Sequence, residues 1–348
     1  MVSDKEYMQR CLELAIKGSG NVSPNPMVGA VLVYNDRIIG EGWHRQYGQA
    51  HAEVNCIASV KEGDKQFIGK STIYVSLEPC VHYGKTPPCA DLIIQHNIPK
   101  VVIGCTDTFN AVSGKGIAKL KEAGIEVVMD VLEHESRWLN RRFFCRQEKE
   151  RPYVILKWAE SDNGYIAPLH GNRVMLSNEF SQKWVHKMRS EEDAILIGHN
   201  TALLDNPVLN NRFGEGKNPV RVVLDFNASL PQTLHLFDTS QQTIVFNFVK
   251  NEKGENLAFI KLDKEQELAA RVLKHLQHIN SVIIEGGSKT LQLFLDANLW
   301  DEAFIISTST IINDGTAAPK MNAGKLLDVL RLQADTIKHY QNEYSAKL

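Results

Sequence analysis

The chain has 348 residues, of which 43% are hydrophobic and 23% are charged, a mixture that is typical of globular proteins and excludes fibrous and largely disordered classes. The 39 basic and 41 acidic residues nearly balance, which argues against a nucleic-acid partner, because such proteins usually present a basic face to phosphates. No apolar run approaches the roughly 18 residues of a membrane helix, and the N-terminal residues lack the apolar core of a secretory signal. We therefore expect a cytoplasmic protein of two domains with no membrane partner.

The first part of the chain predicts alternating helices and strands. Apolar residues at helical spacing indicate a first helix that Asp4 can cap, followed by the proline-rich loop SPNPMVG at 23–29. The segments GAVLVY and RIIGEGW predict a hairpin around the Asn35-Asp36 turn. Further helices are predicted to begin at His51, Cys89 and residue 116, and further strands to cover 71–78, 100–105 and 125–130. This alternation indicates an α/β architecture.

A long, charged, helical pattern runs from Leu132 to Arg151 and stops before Pro152. Beyond it the alternation resumes without repeating any motif of the first half, so we place a domain boundary here. The predicted domains are residues 1–147 and 150–348. Later strands are expected at 152–159, 193–198, 220–225, 243–248, 281–285 and 302–308, and later helices at 177–188, 264–277 and 288–299.

One histidine and two cysteines stand where predicted helices begin or strands end. His51 opens a helix, Cys80 follows a strand and Cys89 opens the next helix. One imidazole and two thiolates suit Zn²⁺, and three protein ligands leave a fourth position for water, which is typical of a catalytic site. His82 is a competing ligand, but we favour it as a neighbour of the metal or of the substrate, since His51 already supplies the nitrogen.

Glu53 lies two residues after His51 and is predicted to act without binding the metal. A carboxylate beside a zinc-bound water can take its proton and return protons to a ring nitrogen and a leaving amine. The order H-x-E, then P-C, then a second cysteine is the signature of zinc nucleobase deaminases. We therefore predict hydrolytic deamination of an amino-substituted heterocycle.

The loop between the two cysteines is longer than in the short deaminase pattern. Eight residues separate Cys80 from Cys89, and Lys85 is among them. Two interpretations remain, a flexible surface loop and a loop that contacts the substrate. We favour the second, with a phosphate as the natural partner of Lys85.

The segment SVIIEGGSKTLQLFL predicts a second site at the carboxyl edge of a sheet. Gly286 and Gly287 follow a buried strand and precede a helix, so the backbone can approach a ligand closely and its N–H groups can bind a phosphate. Glu285 stands at the edge where α/β sheets bind ligands. The G-x-G-x-x-G fingerprint is not present here, so a Rossmann dinucleotide site is not supported, and a simple tight turn remains an alternative.

The motifs SPNPMVG, GEGWH, HAE, EPCVHYGKTPPC and SGKGI follow one another in an order that resembles the deaminase half of the bifunctional riboflavin-biosynthesis deaminase/reductases. In the second half, KWAESDNGYIA, the loop TALLDNPVLNNR and the EGG segment resemble the reductase half. The resemblance implies a cytidine-deaminase-like three-layer α/β/α domain followed by a dihydrofolate-reductase-like α/β domain. It also implies Zn²⁺ and NADPH as cofactors, a small phosphorylated pyrimidine as substrate, no nucleic acid, and a homo-oligomer.

The resemblance also implies binding roles for particular residues. The deaminase substrate would be held by Asn25, His44, Lys85 and Asp107. NADPH would contact Ala159, Thr201, Asp205, Gly287, Ser288, Lys289, Thr290, Leu291, Gln292 and Leu293, and the reductase substrate would contact Arg173, Arg189, Leu209, Arg212 and Glu285. The chain departs from the family pattern at Asn110, which is displaced by one position, and at Arg173 and Met175, where Ser and Trp are common.

Two rival functions make different demands on the sequence. A deaminase of tRNA would need a basic face along the nucleic acid, which the balanced charge does not indicate. A regulator with a structural zinc ion would need a fourth protein ligand and no carboxylate in the role of Glu53. The motifs favour the bifunctional enzyme over both of these alternatives.

Overall fold

A computed structural model of the chain describes residues 3–81, 83, 87–108, 112–170, 174–211, 216–264 and 267–344. The chain divides into two compact units, with the division between Lys149 and Glu150. Among the described residues, no helix combines the length and the apolar character needed to cross a bilayer.

The N-terminal unit is a five-stranded sheet between two layers of helices. Its strands are β1 (Gly29–Tyr34), β2 (Arg37–Trp43), β3 (Thr72–Val75), β4 (Lys100–Ile103) and β5 (Glu126–Val128), in the order β2-β1-β3-β4-β5. The β1 strand is antiparallel to β2 and β3, whereas β3, β4 and β5 are parallel. Its helices are α1 (Asp4–Ala15), α2 (Ala52–Ala58), α3 (Cys89–Gln95), α4 (Lys115–Glu122), α5 (Glu133–Leu139) and α6 (Arg141–Lys149).

Alternation along the strands explains the two helical layers. Successive side chains point to opposite faces of a sheet, so Leu32 packs in the core with α2, α3 and α4, while its neighbour Val31 packs against α1. Both faces of the central strands are therefore apolar and covered. This is the predicted three-layer α/β/α arrangement.

The C-terminal unit is built on a ten-stranded sheet in the order β11-β12-β10-β9-β8-β13-β6-β14-β17-β16. The strands from β12 to β14 in this order run parallel, with antiparallel strands at both sides. Their bounds are β6 (Tyr153–Glu160), β8 (Ala194–Gly198), β9 (Val220–Leu224), β10 (Thr243–Asn247), β11 (Glu252–Lys253), β12 (Leu257–Lys261), β13 (Ser281–Ile284), β14 (Glu302–Ser307), β16 (Lys325–Leu332) and β17 (Asp335–Gln341).

Helices cover this larger sheet as well. They are α7 (Glu179–Glu191), α8 (His199–Asp205), α9 (Leu268–His275) and α10 (Ser288–Asp296), and a separate pair of strands is formed by β7 (Tyr165–Pro168) and β15 (Gly315–Ala317). Val282 and Ile284 of β13 pack in the main core with α9 and α10. Because the central strands are parallel, their carboxyl ends lie along one edge of the sheet, where α/β sheets bind ligands.

The structure differs from the sequence-based elements at several places. Ser3, not Asp4, caps α1, in a capping box with Glu6. The helical pattern after Leu132 is two helices, α5 and α6, broken at Asn140, whose side chain bonds to the backbone of Met27 instead. The segment predicted as a loop after residue 200 begins within helix α8, and strands β12, β16 and β17 lay outside the predicted set. The β16 strand is exposed along most of its length, so it lacks the alternating pattern that reveals a strand.

Candidate active sites

The N-terminal unit gathers His51, Cys80 and Cys89 into one cluster. His51 stands directly before α2, and Cys89 is the first residue of α3. The Nδ1 atom of His51 lies 3.3 Å from the sulfur of Cys89 and 3.5 Å from that of Cys80, and all the potential ligand atoms lie within 4.8 Å of one another. Hydrogen bonding with Cys89 lowers the pKa of the Cys80 thiol, which favours a thiolate, the form that binds metals.

Glu53 lies beside this cluster in the first turn of α2. Its side chain is buried and lies close to the Cys89 thiol. Burial raises the pKa of the Glu53 carboxyl group above its ordinary value, since a low-dielectric surrounding disfavours the charged form. The carboxyl group is therefore suited to hold a proton close to the three potential ligands.

His44 and Asn25 form a polar pair next to the metal-ligand cluster. The His44 ring meets the His51 ring edge to face, with centroids 5.3 Å apart. Nδ1 of His44 lies 3.1 Å from the carbonyl oxygen of Ala50, which can only accept, so Nδ1 carries the hydrogen. Nε2 then accepts from the Asn25 amide at 3.3 Å. Burial lowers the pKa of His44, in agreement with this neutral tautomer.

Asp107 is joined to the metal-ligand loop by a residue that the sequence analysis did not single out. The backbone N–H of Asp107 donates to Oε2 of Glu78 at 3.3 Å, and Glu78 stands two residues before Cys80. Gly114 donates to the same oxygen, and Gly116 and Ile117 donate to Oε1. The only sequence feature that could have pointed to Glu78 is its position in the motif EPC.

In the C-terminal unit, Arg189 and Glu285 form a two-pronged ion pair. Nε and Nη2 of Arg189 lie 2.8 Å and 2.5 Å from the two carboxylate oxygens of Glu285. Lys157 of β6 lies 3.4 Å from the same carboxylate. Burial alone would raise the pKa of Glu285, but the two cations outweigh it and lower this pKa to about 2. Sequence reasoning missed Lys157, because one lysine in a strand carries no distinctive spacing.

A close backbone approach marks the start of α10. Gly287 has a φ of +66° and precedes the helix, and a Cβ added there would lie 3.3 Å from the Thr201 hydroxyl oxygen. A Cβ on Gly198 would lie 2.2 Å from the Thr290 hydroxyl oxygen. These residues form a small cradle of glycine backbone and two hydroxyl groups, which we call the glycine cradle, at the ends of β8 and β13.

The remaining predicted residues belong to several elements, and some of them lie outside the described part of the chain. Ala159 is near the carboxyl end of β6, Asp205 ends α8, and Leu209 is buried with a φ of +51°. Met175 is 58% exposed, so nothing in its packing indicates a contact role. The residues His82, Lys85, Asn110, Arg173 and Arg212 lie outside the residues that the structure describes.

Comparisons with known proteins cover both units. Residues 1–105 match the family model "Cytidine and deoxycytidylate deaminase zinc-binding region", and residues 152–346 match the model "RibD C-terminal domain". The riboflavin biosynthesis protein RibD of Aquifex aeolicus is 36% identical, over 97% of this chain and 95% of that protein. RibD of Synechocystis is 42% identical, over 79% of this chain and 73% of that protein.

Solved structures give the same relationship. A deaminase/reductase of Thermotoga maritima is 36% identical with a TM-score of 0.89, and covers 97% of this chain and 98% of its own. RibD of Acinetobacter baumannii is 32% identical with a TM-score of 0.86 at the same coverage. The predicted fold classes and the predicted deaminase and reductase activities are confirmed by these matches. The chain therefore belongs to the RibD family of bifunctional riboflavin-biosynthesis proteins, with a zinc-binding-type deaminase domain followed by a reductase domain.

Proposed function

We propose that His51, Cys80 and Cys89 hold a catalytic Zn²⁺ ion. Tetrahedral zinc with ligands at about 2.0–2.3 Å separates neighbouring ligand atoms by about 3.3–3.8 Å, and the observed 3.3 Å and 3.5 Å between Nδ1 and the two sulfurs lie within that range. Bound there, zinc would supply an activated water near neutral pH. Among the described residues, no fourth histidine, cysteine or carboxylate joins the cluster. Three protein ligands would leave a fourth position for water, which is typical of a catalytic site.

Glu53 is the proton carrier of this proposal. Its buried carboxyl group faces the cluster without belonging to the ligand set, so it can accept a proton at one point of the reaction and return it to the ring nitrogen or leaving amine. The buried carboxyl group beside a three-ligand cluster is the observation that carries the deaminase proposal.

The related Thermotoga protein is described as a diaminohydroxyphosphoribosylaminopyrimidine deaminase and 5-amino-6-(5-phosphoribosylamino)uracil reductase. We propose the same two substrates here, in that order, since the second is the deaminated product of the first. Asn25, His44 and Asp107 lie on the elements around the cluster and would orient the pyrimidine, with Lys85 on its phosphate. The paired amide and neutral imidazole suit a ring that carries amino and carbonyl groups.

For the reductase we propose NADPH at the glycine cradle. The N–H groups that begin α10 suit a phosphate of the cofactor, and Thr201 and Thr290 place hydroxyl groups at the same point. Ala159, Asp205 and residues 287–293 would complete the contacts. NADPH would supply the hydride for reduction of the ribose, and the protein would mainly orient the two partners.

Arg189 and Glu285 are proposed to bind the reductase substrate, together with Leu209, Arg212 and Arg173. The Arg189–Glu285 pair fixes one side of the guanidinium group, so that its remaining N–H donors can bind a phosphate or a ribose hydroxyl. Glu285 can accept a hydrogen bond from a hydroxyl group of the substrate only through a lone pair that Arg189 and Lys157 do not occupy.

We also propose that the enzyme is a homo-oligomer of the cytoplasm that binds neither nucleic acid nor membrane. Light scattering on the purified chain tests the oligomer, and fluorescence imaging of the tagged full chain tests the location. A mass equal to one chain at micromolar concentration would contradict the first part.

Glu53→Gln tests the deaminase mechanism. We expect ammonia release to fall by at least about 10³-fold, zinc content to stay unchanged, and reduction of the pre-deaminated substrate to continue. Survival of ammonia release in this variant would contradict the assigned role of Glu53. The matched control is Glu41→Gln, which changes a carboxylate of the same unit that is paired with Arg10.

A further inference from the structure

The buried carboxylate of Glu78 accepts hydrogen bonds from backbone N–H groups. Both oxygens are used: Oε2 accepts from the N–H of Asp107 at 3.3 Å and of Gly114 at 3.0 Å, and Oε1 accepts from Gly116 at 2.9 Å and Ile117 at 3.2 Å. Its own N–H donates to the carbonyl of Cys105. One side chain thus binds the backbone of Asp107 and the backbone of the first turn of α4.

The beginning of α4 depends on this carboxylate. The N-cap residue Gly114 has no side chain to cap the helix, and α4 has no acidic residue in its first turn. The first N–H groups of a helix need acceptors and favour negative charge. Glu78 supplies both from outside the helix, through Gly116 and Ile117.

A second contact fixes the position of the first turn of α4. A Cβ added to Gly116 would lie 2.2 Å from the carbonyl oxygen of Pro79, so the first turn of α4 lies directly against the chain that leads into Cys80. Glu78 and the glycine contact at Pro79 therefore hold two parts of the chain together. One part is the chain that leads into Cys80, and the other is Asp107 with the start of α4.

We propose that Glu78 is a positioning residue of the deaminase, which sets the place of Asp107 relative to the metal ligands. This inference rests on the proposed role of Asp107 in holding the substrate. A change at Glu78 should then raise the KM for deamination while zinc stays bound, because the ligand atoms of His51, Cys80 and Cys89 are untouched.

Glu78→Gln gives the most specific test. A glutamine retains one accepting oxygen, but its NH₂ group faces two N–H donors and cannot accept from them. We expect the KM for deamination to rise by about 10-fold or more, with a smaller fall in kcat and one zinc ion per chain retained. Loss of zinc, or a KM equal to that of the unchanged enzyme, would overturn the proposal.

A second variant reaches the same contact without altering Glu78. Gly116→Ala should push the start of α4 away from Pro79 and raise the KM in the same direction. Glu41→Gln serves as the matched control, since Glu41 is a carboxylate of the same unit whose partner is the Arg10 side chain, and its KM should not change.

Asp107→Ala separates this inference from the function on which it rests. If Asp107→Ala raises the KM and Glu78→Gln does not, the positioning role is wrong and the substrate role of Asp107 stands. If neither variant raises the KM, both are wrong. If only Glu78→Gln raises it, Glu78 does not act through Asp107 and the proposal is overturned. One zinc ion per chain and an unchanged circular dichroism spectrum, measured on the same samples, verify that the deaminase unit of each variant is folded.

Discussion

The two candidate sites are assembled over very different distances along the chain. In the N-terminal unit, the three potential metal ligands come from one short stretch of the chain, whose end residues His51 and Cys89 are 38 residues apart. In the C-terminal unit, Arg189 and Glu285 are 96 residues apart and meet because α7 packs over the sheet that contains β13. A site built from neighbouring helix starts leaves a motif in the sequence, whereas a site built across a sheet edge leaves scattered single residues.

The two sites also differ in how their charges are satisfied. The cluster of His51, Cys80 and Cys89 offers ligand atoms that suit a metal ion. Glu285 is already paired with Arg189 and Lys157. Removing one of the three potential ligands should therefore abolish metal binding in the N-terminal unit. Removing one partner of the ion pair should leave a buried, unpaired charge in the C-terminal unit. The following predictions test this contrast, from the largest expected effect to the smallest.

Cys89→Ala should produce the largest effect. With only His51 and Cys80 left, we expect zinc to be lost and ammonia release to fall by at least about 10³-fold. Reduction of the pre-deaminated substrate should be unchanged, since its residues lie in the other unit. Metal analysis and the two activity assays on one preparation check this. Zinc retained at one per chain would show that Cys89 is not a ligand.

Glu285→Ala should destabilise the C-terminal unit by about 3–5 kcal/mol, because breaking a buried ion pair leaves an uncompensated charge. Here two cations, Arg189 and Lys157, would lose their partner. Urea unfolding followed by hydrogen–deuterium exchange in peptides from the C-terminal unit measures the change. A loss below about 1 kcal/mol would mean that the pair contributes no more than an exposed one.

The pKa of Glu285, lowered to about 2, predicts an acid-dependent stability. A carboxyl group with a lowered folded-state pKa stabilises the fold above its unfolded pKa, and this contribution is lost as the pH falls toward the folded value. We expect about 3 kcal/mol to disappear between about pH 5 and pH 2. Glu285→Gln should flatten this part of the stability curve, and an unchanged slope would contradict the assignment.

Gly287→Ala tests the glycine cradle and should have the smallest effect. An alanine at a φ of +66° and a ψ of 135° is in a backbone region that is used almost only by glycine and costs about 1–3 kcal/mol, and its Cβ would approach the Thr201 hydroxyl group. We expect NADPH to bind about 10-fold more weakly in calorimetric titrations. Gly124→Ala is the control, since Gly124 also has a positive φ, +79°, lies in the other unit and has nothing near an added Cβ. Equal NADPH affinity in the two variants would exclude the cradle as the cofactor site.

The elements that local pattern determines could be predicted from the sequence. The hairpin of β1 and β2 follows from alternating apolar residues around Asn35-Asp36, and the grouping of His51, Cys80 and Cys89 follows from motif spacing. Glu78, Lys157 and Asn140 could not be predicted, because their partners are backbone groups or side chains that only the folded chain brings near. Long-range hydrogen bonds carry no periodic signal in the sequence.

The central claim is the proposal that a metal ion bound by His51, Cys80 and Cys89 serves the deaminase, while the reductase works at a separate site in the C-terminal unit. The most direct measurement follows ammonia release and NADPH oxidation separately, with and without a zinc chelator, on the diaminopyrimidine substrate and on its pre-deaminated form. We predict that chelation stops ammonia release and, with the first substrate, NADPH oxidation, while oxidation with the pre-deaminated substrate continues. Ammonia release from zinc-free enzyme, or loss of NADPH oxidation with the pre-deaminated substrate after chelation, would contradict this account.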